Sequence, residues 1–174
     1  MKSSDVKIRR AEPKEFAKVA EMHFPVWKQS WAGMIDDYML DVMATPKWWA
    51  EVKYPEAVNR PGWGMWIAES RNKILGMMIY GPEAAMAGAL QLEALYTTEA
   101  AQRLGIGARL LNKALRSNPT SDVILWCAER NDKARQFYEK HDFRLDGRSY
   151  IWKPLPGVRV PHVGYRLFRS AAQA

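Results

Sequence analysis

Cysteine is almost missing from this chain: of 174 residues, only Cys127 carries a thiol. That excludes an internal disulfide framework and fits a reducing compartment. No apolar run approaches the roughly 20 residues that span a bilayer, and the basic opening MKSSDVKIRR is followed by no apolar stretch of secretory type. The expected location is therefore the cytoplasm, with no membrane partner. Histidine is scarce too: His23, His141 and His162 lie far apart, and none stands at ligand spacing from Asp36, Asp37 or Asp41. Two carboxylates sharing a helix face read as a polar face, so no metal is expected. Also missing are the nucleoside-triphosphate loop GxxxxGK[ST], the dinucleotide signature GxGxxG, internal repeats and low-complexity linkers.

What is present suits one globular domain spanning residues 1–174. The chain is 48% hydrophobic and 26% charged, and its length allows one substantial core but not two comfortable domains. The net charge of +7 raises the question of nucleic acid, yet basic residues are scattered and form no run longer than two. A nucleic-acid footprint is usually clustered, so that partner is disfavoured, and a basic surface also suits a polyanionic ligand.

Hydrophobic patterning outlines the elements. Val6-Lys7-Ile8-Arg9 alternates as a half-buried strand. Phe16, Val19, Ala20 and Phe24 recur at helical spacing after Pro13, and Pro25 is expected to end that helix. Trp27, Trp31, Met34, Ile35, Tyr38 and Met39 continue at spacings of three and four, predicting one or two amphipathic helices broken near Gly33. Residues 64–69 and 74–80, separated by Arg71-Asn72, read as antiparallel neighbours, with Gly81-Pro82 stopping the second. Residues 90–97 form a fourth strand. The apolar run Val123-Ile124-Leu125-Trp126-Cys127-Ala128 reads as a central strand parallel to it across a right-handed crossover. A helix from Asp132 to Lys140 follows, capped by Asn131 but without a capping box, then an extended segment from Phe143 and a last strand at Tyr165-Arg166-Leu167-Phe168.

The chemistry concentrates in residues 94–111, ALYTTEAAQRLGIGARLL, a strand, a polar turn and the start of a helix. First-turn amides have no intrahelical partners and, with the helix dipole, favour an anionic group. Gly105 and Gly107 would let a diphosphate approach the main chain, and Arg103 adds a positive charge at the rim. The plain alternative is a strand-to-helix connection in which the glycines only ease a turn.

Gln102-x-x-Gly105-x-Gly107 after Leu95-Tyr96-Thr97 resembles the acetyl-coenzyme A segment of the GNAT N-acetyltransferase superfamily. A second stretch, from Asn131 through Ala134, Phe137 and Tyr138 to Phe143, resembles the other signature of that superfamily, with Asp142 in place of the usual glycine and Thr98 where proline is frequent. The resemblance implies an α/β fold with a mixed, largely antiparallel six- or seven-stranded sheet and flanking helices, of the acyl-CoA N-acyltransferase kind. It also implies acetyl transfer from acetyl-CoA to a primary amine of a small molecule or peptide. Leu95, Tyr96, Thr97, Gln102, Arg103, Leu104, Gly105, Ile106, Gly107 and Ala108 would hold the cofactor, the amides from Arg103 to Ala108 taking its pyrophosphate. Asn131 would contact the pantetheine arm or support the helix entry.

Tyr138 would be the general acid for the leaving thiolate, or else a buried aromatic bonded to backbone. Glu93 is the candidate base for an ammonium of ordinary pKa near 10.4, or else a salt-bridged surface carboxylate; Glu83 is a poorer substitute. Strict alternation along the strand would put Gln91, Glu93 and Leu95 on one face, opposite Leu92, Ala94 and Tyr96. The segment SWAGMIDDYMLD is similar to the acceptor side of the superfamily and nominates Trp31, Asp37 and Tyr38 for substrate binding. Cys127, in an apolar strand, reads as a small hydrophobe rather than a nucleophile. Two rival functions are a non-catalytic acyl-CoA sensor and a nucleic-acid-binding protein. The sequence leaves the oligomeric state open; the last strand or the tryptophan-rich segment could form the face of a possible homodimer.

Overall fold

A computed structural model describes residues 5–102 and 104–169. Arg103, one of the expected pyrophosphate ligands, lies outside them. Seven strands form one sheet in the order β1-β2-β3-β4-β5-β7-β6, built from Lys7–Arg10 (β1), Gly64–Ser70 (β2), Lys73–Pro82 (β3), Leu90–Thr97 (β4), Val123–Ala128 (β5), Arg144–Trp152 (β6) and Val160–Leu167 (β7). Every neighbouring pair is antiparallel except β4 and β5. Arg71 and Asn72 turn the β2–β3 hairpin at φ of 48° and 61°, as a two-residue loop between twisted strands requires.

Helices cover both faces. On one lie α1 (Phe16–Ser30), α2 (Asp37–Met43), α3 (Pro46–Trp48), a π-helical turn Trp49–Lys53 and α4 (Tyr54–Val58), packed on Met65, Ile67, Met77 and Ile79. On the other lie α5 (Ile106–Ser117) and α6 (Asp132–Lys140), where Ile106, Leu110 and Leu111 are fully buried with Met78, Leu92 and Leu125. The aromatic content of residues 27–54 is thus spent mainly on one core layer.

Three expectations are corrected. Pro25 does not end α1, which runs through it to Ser30. Proline removes the hydrogen bond to the carbonyl four residues back, but Pro25 and Glu21 both face solvent, and Trp27 beyond them packs edge-on to Trp49 at 5.1 Å. The strand β3 continues through Gly81 and Pro82, which pairs with Leu90. The last strand begins at Val160 rather than Tyr165, with Pro161 inside it opposite Ile151.

Candidate active site

The parallel pairing of β4 with β5 covers only Leu90, Gln91 and Leu92 against Val123, Ile124 and Leu125. Beyond Leu92, β4 keeps its ladder with β3 through Thr97 while β5 keeps its ladder with β7 through Ala128. The two strands therefore part into a wedge whose β4 edge has main-chain groups open to an extended ligand.

A bulge sets the side chains along that edge. Ile79 pairs with Ala94 and Tyr80 with Leu92, leaving Glu93 as the extra residue. Strict alternation fails there: Leu92 and Leu95 both pack on the α5 side, whereas Ala94 and Tyr96 pack on the α1 side. The reason is that one inserted residue reverses the parity of everything after it. As a result Glu93 shares a cleft with Ala94 and Tyr96 instead of lying beside Leu95.

That cleft, of about 160 Å³, is walled by His23 and Trp27 of α1, Trp49 and Lys53 of the π-helical turn, and Tyr54 and Ala57 of α4. His23 Nδ1 is hydrogen-bonded to the Tyr54 hydroxyl at 2.8 Å, its ring stacks on Trp49 at 4.3 Å, and Nε2 is buried without a partner. Burial pushes its pKa down to about 3, so the imidazole is uncharged. Glu93 Oε2 accepts from Arg60 Nη2 at 2.6 Å, and the Arg60 guanidinium lies 3.4 Å over the Trp63 ring. The carboxylate is thus paired, as its structural reading anticipated, and still lines the cleft.

On the opposite face, α5 begins at Gly105, whose φ of 73° is left-handed and suited to glycine. A Cβ on Gly107 would sit 3.3 Å from the Phe137 ring, so glycine there allows α5 and α6 to approach. Arg109 N–H is bonded to the Gly105 carbonyl at 3.0 Å, and Leu104 N–H is turned to Ala101 at 3.3 Å. Gln102 joins the parts: its Nε2 donates to the Thr97 carbonyl at 3.3 Å and its Oε1 accepts from Lys133 at the start of α6.

Asn131 caps α6, its Oδ1 accepting from Ala134 N–H at 3.1 Å. Arg135 Nε donates to the Tyr165 hydroxyl at 2.9 Å, which donates to Glu139 at 2.6 Å, and this clip fixes the turn of helix carrying Tyr138. Burial, with Cys127 and Tyr96 as titrating neighbours, pushes the Tyr138 phenol well above its ordinary value. Tyr96 is pushed up to about 12 by burial, against a smaller lowering effect of the nearby Ser30 side chain. Cys127 rises to about 11, again by burial, so its thiol is protonated and a poor nucleophile. At the end of α6, Asp142 takes φ of 65° while Phe143 N–H reaches back to the Tyr138 carbonyl at 3.1 Å. Aspartate thus occupies a left-handed position where the superfamily motif usually has glycine.

The structure thus gathers Glu93, Tyr96 and Tyr138 around the wedge, with Gln102, Gly105 and Gly107 beside it. It does not bring Trp31, Asp37 and Tyr38 to the cleft. Trp31 packs on Trp152 at 5.1 Å, Asp37 lies 3.9 Å from Lys28, and Tyr38 is 75% exposed. The carboxylate of Asp36 caps α2 through Tyr38 N–H. Sequence reasoning missed His23, although its place in the buried stripe of Phe16, Val19, Ala20 and Trp27 was a signal. It also missed Arg60, for which local pattern offers none.

Comparison with known proteins agrees with this geometry. Residues 61–145 match the family model described as an acetyltransferase (GNAT) domain. The chain is 58% identical over 171 residues to the probable N-acetyltransferase Rv2775 of Mycobacterium tuberculosis, covering 98% of each chain. Among solved structures, an N-acetyltransferase from Staphylococcus aureus Mu50 superposes with a TM-score of 0.71 at 15% identity, over 95% of this chain and 99% of that one. The PaiA N-acetyltransferase of Thermoplasma acidophilum, in complex with coenzyme A, gives 0.69 at 15% identity, over 91% and 97%. With its parted β4–β5 pair, the tyrosine behind it and a relative alike over nearly all of its length, the chain belongs to the GNAT acetyltransferase superfamily.

Proposed function

We infer that the two faces of the wedge divide the labour of an acetyl-CoA-dependent N-acetyltransferase, the cofactor entering beside α5 and the amine from the aromatic cleft. The observation that carries this reading is that β4 is the shared wall: Glu93 and Tyr96 line the cleft, while the strand's free edge opens where β5 departs. When bound, acetyl-CoA supplies an activated thioester. Amides of Gly105, Ile106, Gly107 and Ala108 at the start of α5 fit its diphosphate; Leu104 N–H is already engaged by Ala101. Main-chain groups of Leu95, Tyr96 and Thr97 suit the pantetheine arm, and an N–H there would take the charge developing on the carbonyl oxygen. Asn131 serves as a cap and needs no further role.

Glu93, directly or through water, takes the proton of the acceptor ammonium, leaving the lone pair that attacks the thioester carbon. Nitrogen–carbon bond formation then breaks the carbon–sulfur bond, and Tyr138 O–H gives its proton to the departing sulfur. The phenol suits this because burial keeps it protonated. Mass spectrometry with labelled acetyl-CoA across an amine panel tests catalysis, and calorimetry tests the cofactor site. Turnover abolished in Glu93→Gln with cofactor affinity retained supports the assignment. Cofactor binding without acetylation of any amine would instead favour the sensor reading.

A further inference from the structure

The helix α6 has no fully buried residue; Ala134, Phe137 and Tyr138 enter the core beside α5 only in part. Apolar packing alone therefore grips it weakly, and a polar tether adds to it. Tyr165 is fully buried on β7, between Leu125 of β5 and Leu145 of β6, and sends its hydroxyl out to the helix. That hydroxyl accepts from Arg135 Nε at 2.9 Å and donates to Glu139 Oε1 at 2.6 Å. Arg135 Nη1 also donates to the Glu129 carbonyl at 3.0 Å, just past the end of β5. Three bonds thus register one turn of α6 against β7 and the β5 exit.

Tyr138 lies inside that turn, three residues after Arg135 and one before Glu139. Its own hydroxyl makes no hydrogen bond among the described residues. Phe137, Phe143 and Tyr165 surround its ring, but ring contacts exert no directed pull on the oxygen. The helix backbone must therefore set where the phenol points. We propose that Tyr165 is a positioning residue for acetyl transfer: held between Arg135 and Glu139, it fixes the turn of α6 that aims the Tyr138 phenol at the departing sulfur. The proposal rests on the acid role given to Tyr138 above. Proton delivery needs a reach of roughly 2.6–3.2 Å, and a displacement of about 1 Å can cost on the order of 10²-fold in rate. In Tyr165→Phe the buried ring keeps its packing, and Arg135 and Glu139, four residues apart on one helix face, are left to pair with each other. The fold then survives while α6 loses its bond to β7.

Single-turnover and steady-state acetylation, with an amine that the wild-type protein turns over, test this in Tyr165→Phe, Glu139→Ala, Glu139→Gln, Tyr138→Phe and the double variant Tyr138→Phe/Tyr165→Phe. Tyr165→Phe and Glu139→Ala are each expected to slow the acetyl-transfer step about tenfold, with KM for amine and for acetyl-CoA within about twofold of wild type. Glu139→Gln, whose amide oxygen still accepts from the hydroxyl, should stay within about threefold. In the double variant no proton donor is left to aim, so adding Tyr165→Phe to Tyr138→Phe should change the rate by less than about twofold. A further tenfold loss there overturns the proposal, because the tether would then act on something other than Tyr138. So does a wild-type rate in Tyr165→Phe beside a slowed Tyr138→Phe, an outcome that leaves the acid reading standing. Should Tyr165→Phe fail to fold, Glu139→Ala at its exposed position serves in its place, alone and combined with Tyr138→Phe, under the same criteria. A wild-type rate in Tyr138→Phe, or turnover of no amine, brings down the underlying reading and the proposal with it.

Discussion

Replacing Tyr138 by phenylalanine removes one oxygen and leaves the ring where it is. Its neighbours Phe137, Phe143 and Tyr165, at centroid distances of 5.4, 5.6 and 6.4 Å, are all aromatic, so packing survives and stability is expected to change by less than about 1 kcal/mol. The rate is another matter. A positioned acid contributes about 10²–10⁴-fold, and a thiol of ordinary pKa about 8.5 leaves tolerably well as thiolate, which limits what the acid adds. The expected loss is therefore about 10²–10³-fold in the acetyl-transfer step, or roughly 2.7–4 kcal/mol of barrier. Because burial raises the phenol above its ordinary value of 10.0, it stays protonated from pH 6 to 9. Tyr138→Phe should then lower the plateau of the pH profile without moving its limbs. Single-turnover kinetics at saturating acetyl-CoA measures the step, and calorimetry should find cofactor affinity within twofold of wild type. A single-turnover rate within threefold of wild type would refute the acid assignment.

Three further outcomes are expected. Asp142→Gly relieves a left-handed aspartate at φ 65° and should stabilise the fold by about 1 kcal/mol, raising Tm by about 2–4 °C in calorimetry. Gly105→Ala places a Cβ at φ 73°, costing about 1–2 kcal/mol, and should weaken acetyl-CoA binding while leaving the amine KM unmoved at saturating cofactor. Urea midpoints should fall on acidification from pH 6.5 to 5: between His23's ordinary 6.5 and its folded value of about 3, the unfolded chain holds a proton that the folded chain lacks. Stability thus rises with pH through this window, by up to about 1.4 kcal/mol per unit, and His162, also lowered by burial, acts in the same sense. Glu15, held at about 2 by Arg9, adds its own loss only below its unfolded value near 4.5. A His23→Gln variant should show a shallower slope, and an unchanged slope would count against the buried neutral imidazole.

Local pattern carried much of this architecture. The strand, turn and helix from β4 to α5 and the α6 cap at Asn131 follow from periodicity and glycine placement, and the glycine missing before Phe143 marked Asp142 as a departure from the motif. What stayed hidden depends on contacts between distant segments. Alternation presumes an unbroken ladder, so the bulge at Glu93, which brings Ala94 and Tyr96 to the same side as that carboxylate, has no signature in residues 90–97. Pro25 looks like a terminator when only its own helix is considered, and it is tolerated because the following turn docks Trp27 on Trp49. The pairing of Arg60 with Glu93 spans 33 residues and depends on where α4 delivers the chain. Trp31, Asp37 and Tyr38, nominated from a similar text, are held by the packing of α1 and α2 away from the cleft that Glu93 lines.

The brief contact between β4 and β5 has a thermodynamic corollary. With three residue pairs holding the halves of the sheet together, this seam is its narrowest hydrogen-bonded join, and a thioester carrier lodged there would act as a reversible staple. Linkage requires the folded state to gain RT ln(1 + [L]/Kd), about 2.7 kcal/mol at a hundredfold excess over Kd. Resistance to heat and to proteases would then track the cell's supply of acyl donor, making the protein's lifetime a readout of metabolic state.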